Sequence, residues 1–194
     1  MGPIRREQIC RAAATVISRE GFAGTTMRLV AEEAGVSTGM LNHYFANRED
    51  LLTKALVFVS ERSRGRMRTA IEGIPPGRER LAALLDDTLA EDPEAKEMWS
   101  VWINSYGEAV RLTELRQTID TQLAKWFDLV DEALEGLVPA DAPGSIPWSW
   151  RFDALVNGLS ILALTSGAAL DRTQIRDGVI EMLLGPAQDV PADS

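Results

Sequence analysis

Three scarcities narrow the field before any motif is sought. The 194-residue chain holds one cysteine, Cys10, and one histidine, His43. A lone cysteine excludes an internal disulfide and a multi-cysteine metal site, and ordinarily it is a small buried residue. A lone histidine leaves no second imidazole for a metal set. No apolar run reaches the roughly 20 residues of a membrane span, and "MGPIRREQIC" lacks the apolar stretch of a secretory signal. These absences point to the cytoplasm and to no membrane partner. No stretch alternates with period two as a strand would, and neither repeats nor low-complexity segments occur.

What is present is helix. Hydrophobic residues make up 45% of the chain and charged residues 25%, an ordinary balance for a folded protein. Periodicity near 3.6 predicts helices over residues 5–19, 27–34, 38–45, 49–72, 78–90, 93–110, 112–137, 150–169 and 173–184. In the first, Ile9, Ala13, Val16 and Ile17 face inward, and Gly21 can close it. Thr25 or Thr26 can cap the second, Ser37 or Thr38 the third, and Asn47 the fourth. "GIPPG" breaks the chain after the fourth helix and "VPADAPGSIP" after the seventh, while "PAQDVPADS" reads as a frayed tail. The expected architecture is all-α, with about nine helices. Residues 1–50 form a three-helix N-terminal module and residues 51–194 a larger helical bundle.

The net charge of −9 hides an asymmetry. Residues 1–68 hold 11 Lys and Arg against 7 Asp and Glu, whereas residues 69–194 hold 9 against 22. A basic head on an acidic body fits a polyanion-binding module joined to something else. Within the head, "GVSTGMLNHYF" joins two short helices through a glycine able to turn left-handed. Val30, Ala31, Val36 and Leu41 would lock the pair together. That is the pattern of a helix-turn-helix, whose second helix enters the major groove of DNA. Thr38, Gly39, Asn42 and His43 then face outward. Asn42 and His43 can reach base edges, Thr38 and Tyr44 suit phosphate oxygens, and Gly39 permits close approach. Arg48 adds a cation at a helix N-terminus already disposed to hold phosphate. Taken alone, the same residues also describe a solvated surface helix.

The longer string over residues 21–56 carries more. Gly21-Phe22, Thr25-Thr26, Arg28, Val30-Ala31, Gly35-Val36-Ser37, Gly39, Tyr44-Phe45, Arg48 and Leu51-Leu52 stand in the register of one signature. It resembles that of the tetracycline-repressor (TetR) family of bacterial transcription regulators. "STG" followed by "HYF" looks most like the BetI-like members that govern choline metabolism. "EMWSVWINSYGEA" and "LVNGLSILALTSG" resemble the Trp-rich sixth helix and the "DGL" eighth helix of that group. Leu29 stands at a commonly acidic position and Asn157 where that group has Asp. The resemblance implies an operator-binding homodimer, usually a repressor, released by a small-molecule effector that is not readable from the chain. Thr26, Arg28, Ser37, Thr38, Gly39, Asn42, His43, Tyr44 and Arg48 would meet DNA, with Thr26, Arg28 and Arg48 mainly on its backbone.

For the body, the apolar stripes Leu155, Leu159, Leu162 and Ile175, Val179, Leu183 are the expected dimer face. Trp99, Trp102, Tyr106 and Trp126 are the expected effector pocket, because indoles offer a face to cations. Arg62, Arg64, Arg66 and Arg68 spread over more than one face of the fourth helix, as on a solvated helix. An enzyme would need a nucleophile, a base or a metal set. The adjacent pairs Glu32-Glu33 and Asp86-Asp87 point in different directions on a helix, so no catalytic residue, metal ligand or cofactor is expected. A helical-bundle enzyme or an interaction protein that never touches DNA remains the alternative. Neither would need the "GVSTGMLNHYF" constellation or the basic head.

Overall fold

The computed structural model describes residues 2–165 and 170–186. Within them all regular structure is helical: α1 (Gly2–Gly24), α2 (Met27–Ala34), α3 (Thr38–Tyr44), α4 (Arg48–Ile71), α5 (Arg78–Thr88), α6 (Pro93–Ala109), α7 (Thr113–Leu134), α8 (Trp148–Thr165) and α9 (Arg172–Leu184). The order agrees with the periodicity, and α2 coincides with its expected span. The expected end of the eighth helix at residue 169 and the tail beyond Pro186 lie outside the described residues. The chain forms two compact units. One takes Met1–Arg66 with Glu91–Lys125, the other Met67–Ala90 with Trp126–Ser194, so α4 and α7 each contribute to both.

In the first unit α1 packs against both α2 and α6. Its inward face is built from Ile9, Ala13, Val16 and Ile17, all fully buried, with Ala12 and Ala14 beside them. Small side chains there let neighbouring helices approach closely. Val30 and Ala31 of α2, Leu41 of α3, Leu51, Leu52, Ala55 and Leu56 of α4, and Val101 of α6 complete one cluster. Burying a side chain of the Leu or Ile kind contributes about 1.5–3 kcal/mol, so this shared core fixes α2 and α3 in place.

The axis of α1 breaks at Gly21, whose backbone lies at φ 68°, ψ 172°. Only glycine occupies that region comfortably. The carbonyl of Gly21 accepts from the Thr25 hydroxyl at 2.7 Å and from the Thr25 N–H at 3.1 Å. Thr25 is thereby spent inside the turn, fully buried. Thr26, next in sequence, becomes the cap of α2, its hydroxyl accepting from the Leu29 N–H at 3.2 Å.

The second unit gathers α5, α8 and α9 around the ends of α4 and α7. Leu81, Leu84 and Leu85 of α5 and Phe152 and Val156 of α8 are buried, as are Ile175, Val179 and Leu183 of α9. A capping box opens α9: Asp171 accepts from the Gln174 N–H at 2.9 Å, and the Gln174 side chain accepts from the Asp171 N–H at 3.0 Å. Asp86 of α5 pairs with Arg172 and Arg176 at 3.1 and 3.3 Å. This packing corrects the expected dimer face. Ile175, Val179 and Leu183 are only 6%, 0% and 8% exposed in the single chain, because they face α5 and α8 of their own unit. Leu155 and Leu159 are half-buried. Outward-facing apolar surface comes from Leu162, Leu164 and Met182, each more than half exposed.

The Gly21 turn supports a direct test. Gly21→Ala should lower stability by about 1–3 kcal/mol, the cost of holding a Cβ-bearing residue in that backbone region. Equilibrium urea unfolding measures it, and an unchanged midpoint would show that the turn can be rebuilt without glycine.

Candidate nucleic-acid interface

Two short helices need help at every end, and the residues of this segment supply it. Gly35 closes α2 in the left-handed conformation, φ 64° and ψ 36°, with its N–H on the carbonyls of Ala31 and Glu32. The Val36 N–H returns to the Ala31 carbonyl at 2.9 Å. Ser37, rather than Thr38, caps α3, its hydroxyl accepting from the Met40 N–H at 3.2 Å. Asn47 accepts from the Asp50 N–H at 2.8 Å and starts α4. Each cap of this kind contributes about 0.5–2 kcal/mol. Together they hold α2 and α3 in a fixed angular relation that helix propensity alone could not hold in pieces this short.

α3 rests on the core through Leu41, fully buried, and through the half-buried Tyr44, which packs against the same cluster. Thr38, Gly39, Met40, Asn42 and His43 are exposed and Tyr44 is half-buried. The expected reading residues therefore share one outward surface, and Ser37 and Thr26 stand exposed at the two helix starts. The rings of His43 and Tyr44 meet edge to face, with centroids 5.3 Å apart. Gly39 is informative because the fold does not require it. A Cβ there would meet only the Ser37 hydroxyl, at 3.9 Å, and the residue lies within a regular helix. Arg28 forms an exposed pair with Glu32, one turn on, at 2.6 Å.

Arg48 is a correction. It was expected against the phosphates, but its guanidinium turns inward. Nε donates to the Thr25 carbonyl at 2.6 Å and Nη2 to the Phe22 carbonyl. The charge is spent closing the turn between α1 and α2. Sequence reasoning also missed Arg6 and Lys54. Their charged ends lie 5.8 and 5.5 Å from the centre of the Phe45 ring, at the base of α3. With Glu7, His43, Tyr44, Val57, Phe58 and Glu61 they line a cleft of about 760 Å³ beside α3. Cys10 lies at its floor, where burial pushes the thiol up to about 11. A thiol so placed stays protonated and is a packing residue, not a nucleophile.

The expected pocket residues divide between the units. Trp99, Trp102 and Tyr106 are half-buried on α6 of the first unit, with the Trp102 and Tyr106 rings 5.5 Å apart. Trp126 belongs to the second, where its Nε1 donates to Asp153 of α8 at 2.9 Å and its ring lies 6.1 Å from Phe152. Burial pushes the Asp153 carboxyl above its ordinary value, against the Trp126 and Asn157 hydrogen bonds that favour its charge.

Known families agree with this geometry. Residues 9–55 match the model for bacterial regulatory proteins of the tetR family, and residues 76–184 match the C-terminal region of BetI-type transcriptional repressors. The chain belongs to the TetR family. An HTH-type transcriptional regulator BetI from Burkholderia thailandensis is 30% identical over 194 residues, covering 96% of each chain. Among solved structures, a Rhodococcus sp. transcriptional regulator assigned to the TetR family is 28% identical, with a TM-score of 0.78 over 93% of this chain and 98% of its own. A regulator from Saccharomonospora viridis, solved in complex with choline, shares the fold at a TM-score of 0.78 and 22% identity, over 92% of this chain and 94% of its own. This TetR-family chain is thus a BetI-like, DNA-binding transcriptional regulator.

The inward role of Arg48 is open to measurement. Arg48→Ala leaves two carbonyls of the α1–α2 turn without their charged donor, and hydrogen bonds to charged groups contribute about 1.5–3 kcal/mol each. Thermal unfolding should fall accordingly. A variant as stable as the parent, with weaker DNA binding at every sequence, would return Arg48 to the phosphates.

Proposed function

We propose that this regulator is a homodimeric repressor whose two α3 helices read the halves of a near-palindromic operator and which a small organic cation releases. Gly39 is the observation that carries the reading. A glycine inside a helix lowers its stability by about 1 kcal/mol relative to alanine, and no contact within the chain requires it. Close approach of another surface explains it. Asn42 and His43 flank it outward as base readers, with Thr38 and Tyr44 toward the strand. Thr26, Ser37 and Arg28 serve the backbone, the exposed Glu32 pair of Arg28 being readily exchanged for a phosphate. For the dimer, the half-buried Leu155 and Leu159 and the exposed Leu162, on one face of α8, offer the apolar face that an isologous contact would cover.

The cation is argued from Asp153. A carboxyl raised by burial is held by neutral donors, the Trp126 indole and the Asn157 amide. A bound cation would supply the charge that stabilises its ionised form, and an indole beside it adds a cation–π contact. The choline bound to the Saccharomonospora relative belongs to that chemical class. Trp126 is thus the centre of the proposed effector site, beside Asp153 and Asn157 of α8 in its own unit.

Two measurements test the reading. Gly39→Ala should leave the protein at least as stable while weakening binding to the palindromic duplex that the wild type selects from a random library. Asn42→Ala should relax base preference at a cost of about 1–3 kcal/mol. Unchanged selection by both variants would sink the placement of α3 in the groove.

For the effector, choline at a hundred times its Kd should add about 2.7 kcal/mol of stability. Its uncharged isostere 3,3-dimethylbutanol should add far less. The raised carboxyl means that the native state keeps its proton to higher pH than the unfolded chain. Stability therefore falls as pH climbs from the ordinary Asp range through the raised value. Asp153→Asn should remove that decline together with the choline response. Equal stabilisation by choline and its isostere, or a full response in Asp153→Asn, would defeat the cation site.

A further inference from the structure

We propose that Asn104 of α6 is a positioning residue that sets the direction of the helix-turn-helix by holding the Gly21–Thr25 turn. The inference rests on the DNA-binding reading above and adds a residue far from α3 in sequence. The Phe22 N–H donates to Asn104 Oδ1 at 3.1 Å, while the Phe22 carbonyl accepts from Arg48 of α4. The amide of Asn104 cannot turn freely, because its Nδ2 donates to the Ser100 carbonyl at 2.8 Å, one turn earlier on α6. Its oxygen is thereby aimed at α1. The approach is close: a Cβ on Gly21 would lie 3.2 Å from that oxygen. Two successive peptide groups are gripped, Gly21–Phe22 by α6 through its N–H and Phe22–Ala23 by α4 through its carbonyl, and α2 begins five residues after Phe22.

A second tie makes the grip a rigid one. The Thr15 hydroxyl donates to Glu97 Oε2 at 2.9 Å, seven residues before Phe22 on α1 and seven before Asn104 on α6. On α6, Glu97 and Asn104 are seven residues apart and share a face, about 10 Å apart along the axis. α6 therefore holds α1 at two points, Thr15 within the helix and Phe22 just past its break at Gly21. Glu97 is half-buried, and burial raises its carboxyl despite the Thr15 bond and the nearby Arg11 and Arg62. With both ties in place, a rotation of α6 must carry the turn, and with it the entry direction of α2. Trp102 and Tyr106 lie two residues to either side of Asn104, so a displacement of that aromatic stretch would reach the reading helices through this bond. Coupling of that kind needs a packed, hydrogen-bonded connection with a defined geometry, and this one has it.

The test compares Asn104→Leu, which removes the acceptor at similar size, with Asn104→Asp, which keeps an oxygen facing Phe22. Each is measured for melting temperature, for amide hydrogen exchange at Thr25 and across α2, and for affinity toward the palindromic duplex selected by the wild type. Asn104→Leu should remain folded, exchange faster at Thr25 and in α2, and bind the duplex at least tenfold more weakly. Asn104→Asp should stay within about threefold of the wild type. Wild-type affinity in Asn104→Leu, or an equal loss in Asn104→Asp, would overturn the role of the acceptor. A wild type that selects no duplex would defeat the DNA-binding reading instead. Exchange would then decide the latch alone, unchanged protection of α2 in Asn104→Leu refuting it.

Discussion

A helix that must stop, reverse and restart within six residues depends on the one peptide where it stops. Here that peptide joins Gly21 to Phe22. Glycine supplies a backbone conformation closed to other residues, and the polar groups exposed by the break are taken up at once. Thr25 closes on the Gly21 carbonyl and Asn104 on the Phe22 N–H, the two polar groups of that peptide, while Arg48 takes the Phe22 carbonyl of the next one. Buried backbone groups left without partners would cost about as much as lost hydrogen bonds. The turn is therefore stable only when α1, α4 and α6 are all in place. The angle of α2 and α3 is a property of the assembled unit, not of the short segment that contains them.

That dependence explains the division of labour inside the signature. Thr25 and Thr26 are adjacent and chemically alike, yet one is buried in the turn and the other caps α2 in the open. Phe45, at the end of α3, is buried under two cations, while Asn42 and His43 a turn earlier face outward. Roughly half of the signature builds the platform and the rest is displayed on it. Gly39 belongs to the displayed half because it is the residue whose presence the platform does not explain.

How much of this was legible in the chain varies with the distance over which each force acts. Caps, breaks and periodicity are local, and α2, α3 and the starts of α5 and α6 fell where those signals put them. Apolar stripes report that a face is buried but not what buries it. The stripe of Ile175, Val179 and Leu183 fits a face for a second copy, whereas α5 and α8 of the same chain cover it. Arg48 shows the same limit for charge, since its proximity to a helix N-terminus was visible and the two carbonyls it reaches, 23 and 26 residues away, were not. Asp153 does carry a signal in the chain. It is an ionisable residue inside the apolar run "FDALVNGLSILAL", one turn before an asparagine that departs from the family pattern, and its partner Trp126 lies 27 residues earlier on another helix.

The basic head also needs revision in the light of the pairs it forms. Much of its excess charge comes from Arg62, Arg64, Arg66 and Arg68, and these look to the protein's own groups. Arg62 makes a two-pronged contact with Glu94 at 2.6 and 2.9 Å, Arg66 meets Asp92, Arg68 meets Glu132, and Arg64 reaches Gln122. Arg48 is committed to the turn. Near α3, Arg6 donates to the Tyr44 carbonyl at 3.4 Å and Lys54 pairs with Asp50, while Arg28 of α2 pairs with Glu32. Counting residues along the chain thus overstates the positive field that DNA would meet, because acids from α6 and α7 neutralise the far end of α4. A protein with few uncommitted cations gains little from general attraction to phosphate. On the reading proposed above, its discrimination would come from fit at α3, where a bare glycine between hydrogen-bonding side chains would let the backbone come close. The precision of the turn behind α3 then matters more than the charge around it.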